Sequence, residues 1–196
     1  MTLEEIKSIA ENSKESLEQL ASNYDRDVKI YLHWSAGHYG QFFDDYHVNI
    51  DSDGSYHVTT NDLSEVISHT YHRNSGAIGI SLACCAGATS NNLGSEAPTG
   101  AQIESMSKLI ATLCIALDIP CDKTHVLTHG EAADNEDGIT NLHDPYGPKS
   151  TVERWDLEFL GTTESPLWNP YATDGSRGGD VLRGKGNWYI EELMKA

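Results

Sequence analysis

A single α/β domain, with helices packed on a mixed central sheet, is the fold the sequence predicts, and three observations predict it. Two segments, one near the N-terminus and one past residue 100, keep the apolar spacing of helices. Short β-rich runs fall between and after them rather than in a separate block. At 196 residues, with 38% hydrophobic and 22% charged side chains, the chain is long enough for one packed core and short for two.

The elements follow in order. Thr2 and Glu5 form a capping box, and Leu3, Ile6, Ile9, Leu17 and Leu20 approximate one stripe, giving an N-terminal helix over about 2–22 that ends before Asp25. Val28 to Trp34 is rich in β-branched and aromatic residues and reads as a strand, stopped at Ser35-Ala36-Gly37. Tyr46–Ile50 and Ser55–Thr59 flank Asp51-Ser52-Asp53-Gly54, whose Asp-Gly pair supplies the turn of a hairpin. Alternation there places Tyr46, Val48 and Ile50 on one face, His47 and Asn49 on the other. Ala77 to Ala83 is nearly all apolar and so central in the sheet.

A Gly/Asn/Ser-rich loop over 87–100 leads into a helix carrying Ile103, Met106, Ile110, Leu113, Cys114 and Leu117, with Pro120 at its exit. Thr124–His129 reads as another strand. Gly130 to Ser150 is a long Asp/Asn/Gly/Pro loop of the kind that carries function. Val152–Leu160 is expected to be a short helix, 162–186 is Gly-rich without an assigned element, and Trp188–Lys195 closes the chain as a helix. The domain thus has a core over about 26–160 and a C-terminal extension over about 162–196.

Charge removes several function classes. Thirteen Lys and Arg against thirty Asp and Glu leave a formal charge of −17, which opposes binding to nucleic acid, anionic lipid or teichoic acid. No apolar run approaches the roughly 20 residues of a membrane span, and Met1-Thr2-Leu3-Glu4-Glu5 has no signal-peptide character. Cys84 and Cys85 lie in an apolar run and read as small buried residues; with Cys114 and Cys121 they show no zinc-knuckle spacing.

The histidines are more informative. His33 and His129 each end a strand, where two imidazoles of one sheet can meet at a metal with a carboxylate as third ligand. Glu131, Asp144 and Asp156 are all candidates for that carboxylate, and spacing does not choose between them.

Five motifs add a resemblance. Leu32-His33-Trp34-Ser35-Ala36-Gly37, Asp45-Tyr46-His47-Val48-Asn49-Ile50 with Asp53-Gly54, Ser68-His69 with Asn74 and Ala77–Leu82, Pro98-Thr99-Gly100-Ala101-Gln102, and Val126–His129 occur in the order found in the zinc N-acetylmuramoyl-L-alanine amidases. The pattern is most similar to the small phage amidases (endolysins) of the superfamily that includes the peptidoglycan recognition proteins. The resemblance implies a peptidoglycan-recognition-protein-like domain that binds one Zn2+ per chain and hydrolyses the amide between N-acetylmuramic acid and L-alanine. It makes His33 and His129 the first two ligands and, through Arg154-Trp155-Asp156, Asp156 the third. His143 and Asp144, in an inserted loop from about Ala132 to Ser150, are the rivals.

Two departures matter. Leu157 follows the third ligand where the family usually has Pro or Pro-Gly. Ser81 stands where one branch has a glutamate general base. The other branch relies on a hairpin tyrosine and a basic residue near the third ligand, kept here as Tyr46 and Arg154. Glu131 is a further candidate for protonating the leaving amine, and His69, Asn74 and Trp34 are the candidates for substrate contact. The other readings are a muropeptide-binding module without catalysis and a zinc peptidase cutting within the stem peptide. The partner expected is peptidoglycan, met by a monomer that is made in the cytoplasm and reaches the wall through a holin or another secretion route.

Overall fold

A computed structural model describes residues 1–139, 146–151 and 153–195. The elements are α1 (Leu3–Ser22), β1 (Lys29–Trp34), β2 (Val48–Ile50), β3 (Tyr56–Val58), β4 (Ala77–Leu82), α2 (Gly100–Leu117), β5 (Val126–Thr128), α3 (His129–Ala133) and α4 (Gly178–Met194). The strands form one sheet in the order β3-β2-β4-β1-β5. The β2–β3 hairpin is antiparallel and every other pairing is parallel, with β1 against β4 in register from Lys29↔Ala77 to Trp34↔Leu82. This is the mixed sheet flanked by helices that the sequence predicts.

The two faces of the sheet differ in chemistry, and the difference builds the site. Ile30, Leu32 and Trp34 of β1 and Ile78, Ile80 and Leu82 of β4 join the main core with α1, α2 and α4. Successive strand residues point to opposite faces. The other face therefore carries Tyr31 and His33 from β1, and Ala77, Gly79 and Ser81 from β4. All of these are buried. The small residues at 77, 79 and 81 alternate with Ile and Leu and leave room above that face.

Caps set the helix starts. Thr2 and Glu5 bond reciprocally at the start of α1, and Thr99 and Gln102 at α2. Gln102 Nε2 also donates to the carbonyls of Ile50 and Ala83, at 3.0 Å each, and so ties α2 to the ends of β2 and β4. The buried face of α1 is Ile6, Ala10, Ser13, Leu17 and Ala21, smaller than the apolar stripe suggested. Ala21 packs where a Cβ on Gly76 would stand 2.6 Å away, so close approach replaces bulk there.

Three expectations are corrected. Val152–Leu160 holds no helix among its described residues; turns run through it, and Leu157 sits in the left-handed region (φ 60), which interrupts a right-handed helix. The long loop expected from Gly130 opens instead with α3, because Thr128 and Glu131 form a third capping box. The closing helix begins at Gly178, well before Trp188. Its glycines permit close packing: a Cβ at Gly178 would collide with the Leu157 carbonyl, one at Gly179 with the Glu131 carboxylate, and one at Gly186 would stand 2.9 Å from Ile110 Cγ2. Gly186→Val is accordingly expected to destabilise the fold by about 1–3 kcal/mol through overpacking, read from urea unfolding midpoints.

Candidate metal centre and active site

β1 and β5 are neighbours, paired through Leu32↔Thr128. The next residue of each, His33 and His129, therefore emerges beside the other, with ring centroids 4.8 Å apart. Parallel strands present such pairs at their carboxyl ends, where α/β sheets bind ligands. Asp156 arrives from the turn after Arg154, and its Oδ2 lies 3.3 Å from His33 Nδ1 and 3.4 Å from His129 Nδ1. One donor atom from each residue falls within 4.8 Å of the other two, the metal-capable group found among the described residues. The rival ligands His143 and Asp144 lie outside the described residues.

Protonation states suit a metal. Burial pushes the His33 imidazole down to about 4, even with Asp156 beside it, so the ring is a neutral base near pH 7. Burial would raise the Asp156 carboxyl, but the facing His129 and His33 rings outweigh it and hold the group well below the usual carboxylate range. Neutral imidazole and ionised carboxylate are the forms that ligate metals.

A polar layer supports His33 from behind. Its Nε2 is 3.3 Å from Thr70 Oγ1, which is 2.8 Å from His69 Nδ1. With a metal on His33 Nδ1, its Nε2–H would donate to Thr70, and the Thr70 hydroxyl would donate onward to His69. Asn74 Oδ1 accepts from the backbone N–H groups of His69 and Thr70 at 3.0 and 2.8 Å, which fixes this loop. His69 itself is 8% exposed and packs over Gly79, where a Cβ would meet its ring at 2.6 Å. His69 and Asn74 thus stand beneath and beside a candidate ligand rather than on an open groove.

His47, expected opposite Val48, is fully buried and uses both nitrogens: Nδ1 accepts from Gly79 N–H at 3.0 Å and Nε2 donates to the Glu65 carbonyl at 2.7 Å. A proton on Nδ1 would abut the Gly79 N–H, and burial lowers the pKa from 6.5. Below about 6.5 the unfolded chain then binds the proton more readily, so this group's stability is present above that pH and lost as pH falls. In metal-free protein, urea midpoints should fall between pH 7.5 and 5, and fall less in His47→Gln.

Tyr46 does not share a face with Val48 and Ile50. The strand begins only at Val48, and the Tyr46 ring turns to within 5.0 Å of His33. Burial first, then the Asp156 charge, raises its phenol well above the ordinary value, with the neighbouring Ser81 opposing the rise. It stays protonated and able to donate. The Arg154 guanidinium lies over two rings, 5.5 Å from the Tyr71 centroid and 4.8 Å from that of Tyr146.

Two candidates are placed elsewhere. Trp34 is 5% exposed and meets Trp155 edge-on at 4.5 Å, so it packs under the Asp156 turn rather than facing substrate. Glu131 is buried in a two-pronged ion pair with Arg183, at 2.7 and 2.8 Å, and also accepts from Thr128 N–H at 2.9 Å. These bonds occupy it as a structural anion. The supporting Thr70, and the rings flanking Arg154, carry no signal that single-sequence spacing would reveal.

A family model for N-acetylmuramoyl-L-alanine amidase matches residues 8–147. Among solved structures, the chain resembles the endolysin N-acetylmuramoyl-L-alanine amidase LysCS of Clostridium intestinale, with 22% identity over 54% of this chain and 70% of that one, at a TM-score of 0.40. It resembles the amidase LysC of the same organism with 22% identity over 54% of this chain and 71% of that one, at a TM-score of 0.40. No curated protein matches the sequence.

Proposed function

The chain belongs to the N-acetylmuramoyl-L-alanine amidase family, enzymes that hydrolyse the amide joining N-acetylmuramic acid to L-alanine in peptidoglycan, and on that premise we propose that it works with one Zn2+ held by His33, His129 and Asp156. The observation that carries this is the pair of imidazole Nδ1 atoms facing one carboxylate oxygen at 3.3 and 3.4 Å. Zinc bonds of about 2.0–2.2 Å place tetrahedral ligands about 3.3–3.6 Å apart; both His–Asp156 distances match this, and all three donor atoms lie within 4.8 Å of one another. Two neutral nitrogens and one anion would leave a bound ion net positive and a fourth position open.

When bound, zinc supplies Lewis acidity to the amide carbonyl and to water. The chain's own residues supply the rest. Tyr46 donates its phenolic proton in a hydrogen bond to the oxygen that gains charge on attack. Arg154, fixed against Tyr71 and Tyr146, adds positive charge but no proton, since a guanidinium stays protonated. Ser81 lies beside Tyr46, in the place where a carboxylate base would otherwise stand. Leaving-amine protonation falls to Tyr46 or water, because Glu131 is held by Arg183.

The wall would be reached after release through a holin or another route; among the described residues no helix is long and apolar enough to cross a membrane. Metal content of purified protein, followed by chelation and zinc re-addition, tests the proposal. One zinc per chain, with activity lost and regained, is expected; full activity in metal-free protein would refute it. The Thr70 support gives a finer prediction. Thr70→Val should weaken zinc binding by about 10-fold, within the range seen for lost partners of ligating histidines, and Thr70→Ser should restore it in a competitive chelator titration.

A further inference from the structure

The C-terminal helix α4 presents two buried arginines, and each grips a glutamate that lies two residues beyond a proposed metal ligand. Arg183 binds Glu131, two after His129, through Nη1 to Oε1 at 2.7 Å and Nη2 to Oε2 at 2.8 Å. Arg177, the N-cap of α4, binds Glu158, two after Asp156, through Nε to Oε1 at 2.6 Å and Nη2 to Oε2 at 3.1 Å. Both pairs are almost fully buried. The grips are anchored in turn: Arg183 also donates to the Val126 carbonyl at 3.0 Å, on the strand leading to His129, and Gly178 N–H donates to the Glu158 carbonyl at 2.9 Å. The side-chain-free faces of Gly178 and Gly179 let α4 approach Leu157 and Glu131 this closely.

We infer that α4 is a brace for the metal centre, with Arg177 and Arg183 as positioning residues that set the spacing between Asp156 and His129. This rests on the zinc reading above and deepens it. The family model ends at residue 147, so Asp156 and α4 both lie beyond the matched region. The third ligand reaches the site on a turn with no regular secondary structure. Something must fix that turn against β5, and a planar two-pronged guanidinium contact fixes direction as well as distance. One helix holding both ligand segments makes their separation a property of α4.

Arg177→Lys and Arg183→Lys test this, since lysine keeps the charge and loses the fork. Zinc affinity would be measured by chelator competition and site geometry by the visible absorption of the Co2+-loaded protein, at a temperature where far-UV circular dichroism shows full folding. Leu17→Ala, which removes core packing on α1, sets the background for destabilisation alone. Each lysine variant should bind zinc about 10- to 100-fold more weakly and shift the Co2+ spectrum, whereas Leu17→Ala should change neither. Unaltered affinity and spectrum in both lysine variants would overturn the brace while leaving the zinc site standing. Absence of metal binding by the unaltered protein would instead overturn the zinc reading, and the brace with it. Should a lysine variant fail to fold, Glu131→Gln and Glu158→Gln, which keep one acceptor and set an amide NH2 against the other prong, break the fork from the opposite side and carry the same comparison.

Discussion

Asp156→Ala protein should retain its fold but lose its zinc, falling from one ion per chain to none in elemental analysis, with amidase activity lost alongside. The aspartate is the anion of the cluster, and it is the group both imidazole Nδ1 atoms face. Without it, two neutral nitrogens remain, too few for a closed structural site or a catalytic one. The fall in affinity should exceed the 10- to 100-fold typical of losing a supporting partner, because a ligand itself is removed. The variant also separates this aspartate from His143 and Asp144: if either of those were the third ligand, zinc would stay bound. Asp156 is held from outside by Trp155 against Trp34 and by Glu158 against Arg177, so folding should survive its loss. Circular dichroism checks that point.

Tyr46→Phe should give the opposite division of effects. Zinc content and KM should hold, while kcat falls by about 100- to 1000-fold, the loss seen when one oxyanion donor is removed. The ring has the same shape, so its 5.0 Å packing on His33 persists and only the hydroxyl is gone. The phenol is kept protonated by burial and by the Asp156 charge, which suits it to donate to an oxygen gaining negative charge. A variant with unchanged kcat would place the oxyanion donor elsewhere, with Arg154 the next residue to test.

Much of this arrangement is legible in the chain, for identifiable reasons. The capping boxes at Thr2 and Thr99 and the Asp53-Gly54 turn are local signals, and local chemistry decides them. His33 and His129 stand out because a polar residue ending an apolar strand requires an explanation. The alternation of Ala77, Gly79 and Ser81 with Ile78, Ile80 and Leu82 was equally visible, yet it reads as a buried strand until the neighbouring face is known to hold three histidines. Alternation extended two residues beyond the strand puts Tyr46 on the wrong face, because β2 begins only at Val48.

What remained hidden is non-local. Glu131 looks like a loop acid beside a ligand, and only the approach of Arg183 from α4 makes it structural. Trp34 sits within a motif, and only Trp155, more than a hundred residues later, shows it to be packing. The start of α4 was obscured by Gly178, Gly179, Gly184 and Gly186, residues that weaken an isolated helix. Here Gly178, Gly179 and Gly186 stand where Leu157, Glu131 and Ile110 approach too closely for a side chain.

Product analysis on a defined muropeptide tests the central claim most directly. The zinc-loaded enzyme should release a peptide whose L-alanine carries a free amino terminus, together with a sugar bearing an intact lactyl carboxyl group, and the Asp156→Ala protein should release neither. Products split within the stem peptide, or an intact muropeptide bound tightly by zinc-loaded protein, would contradict it.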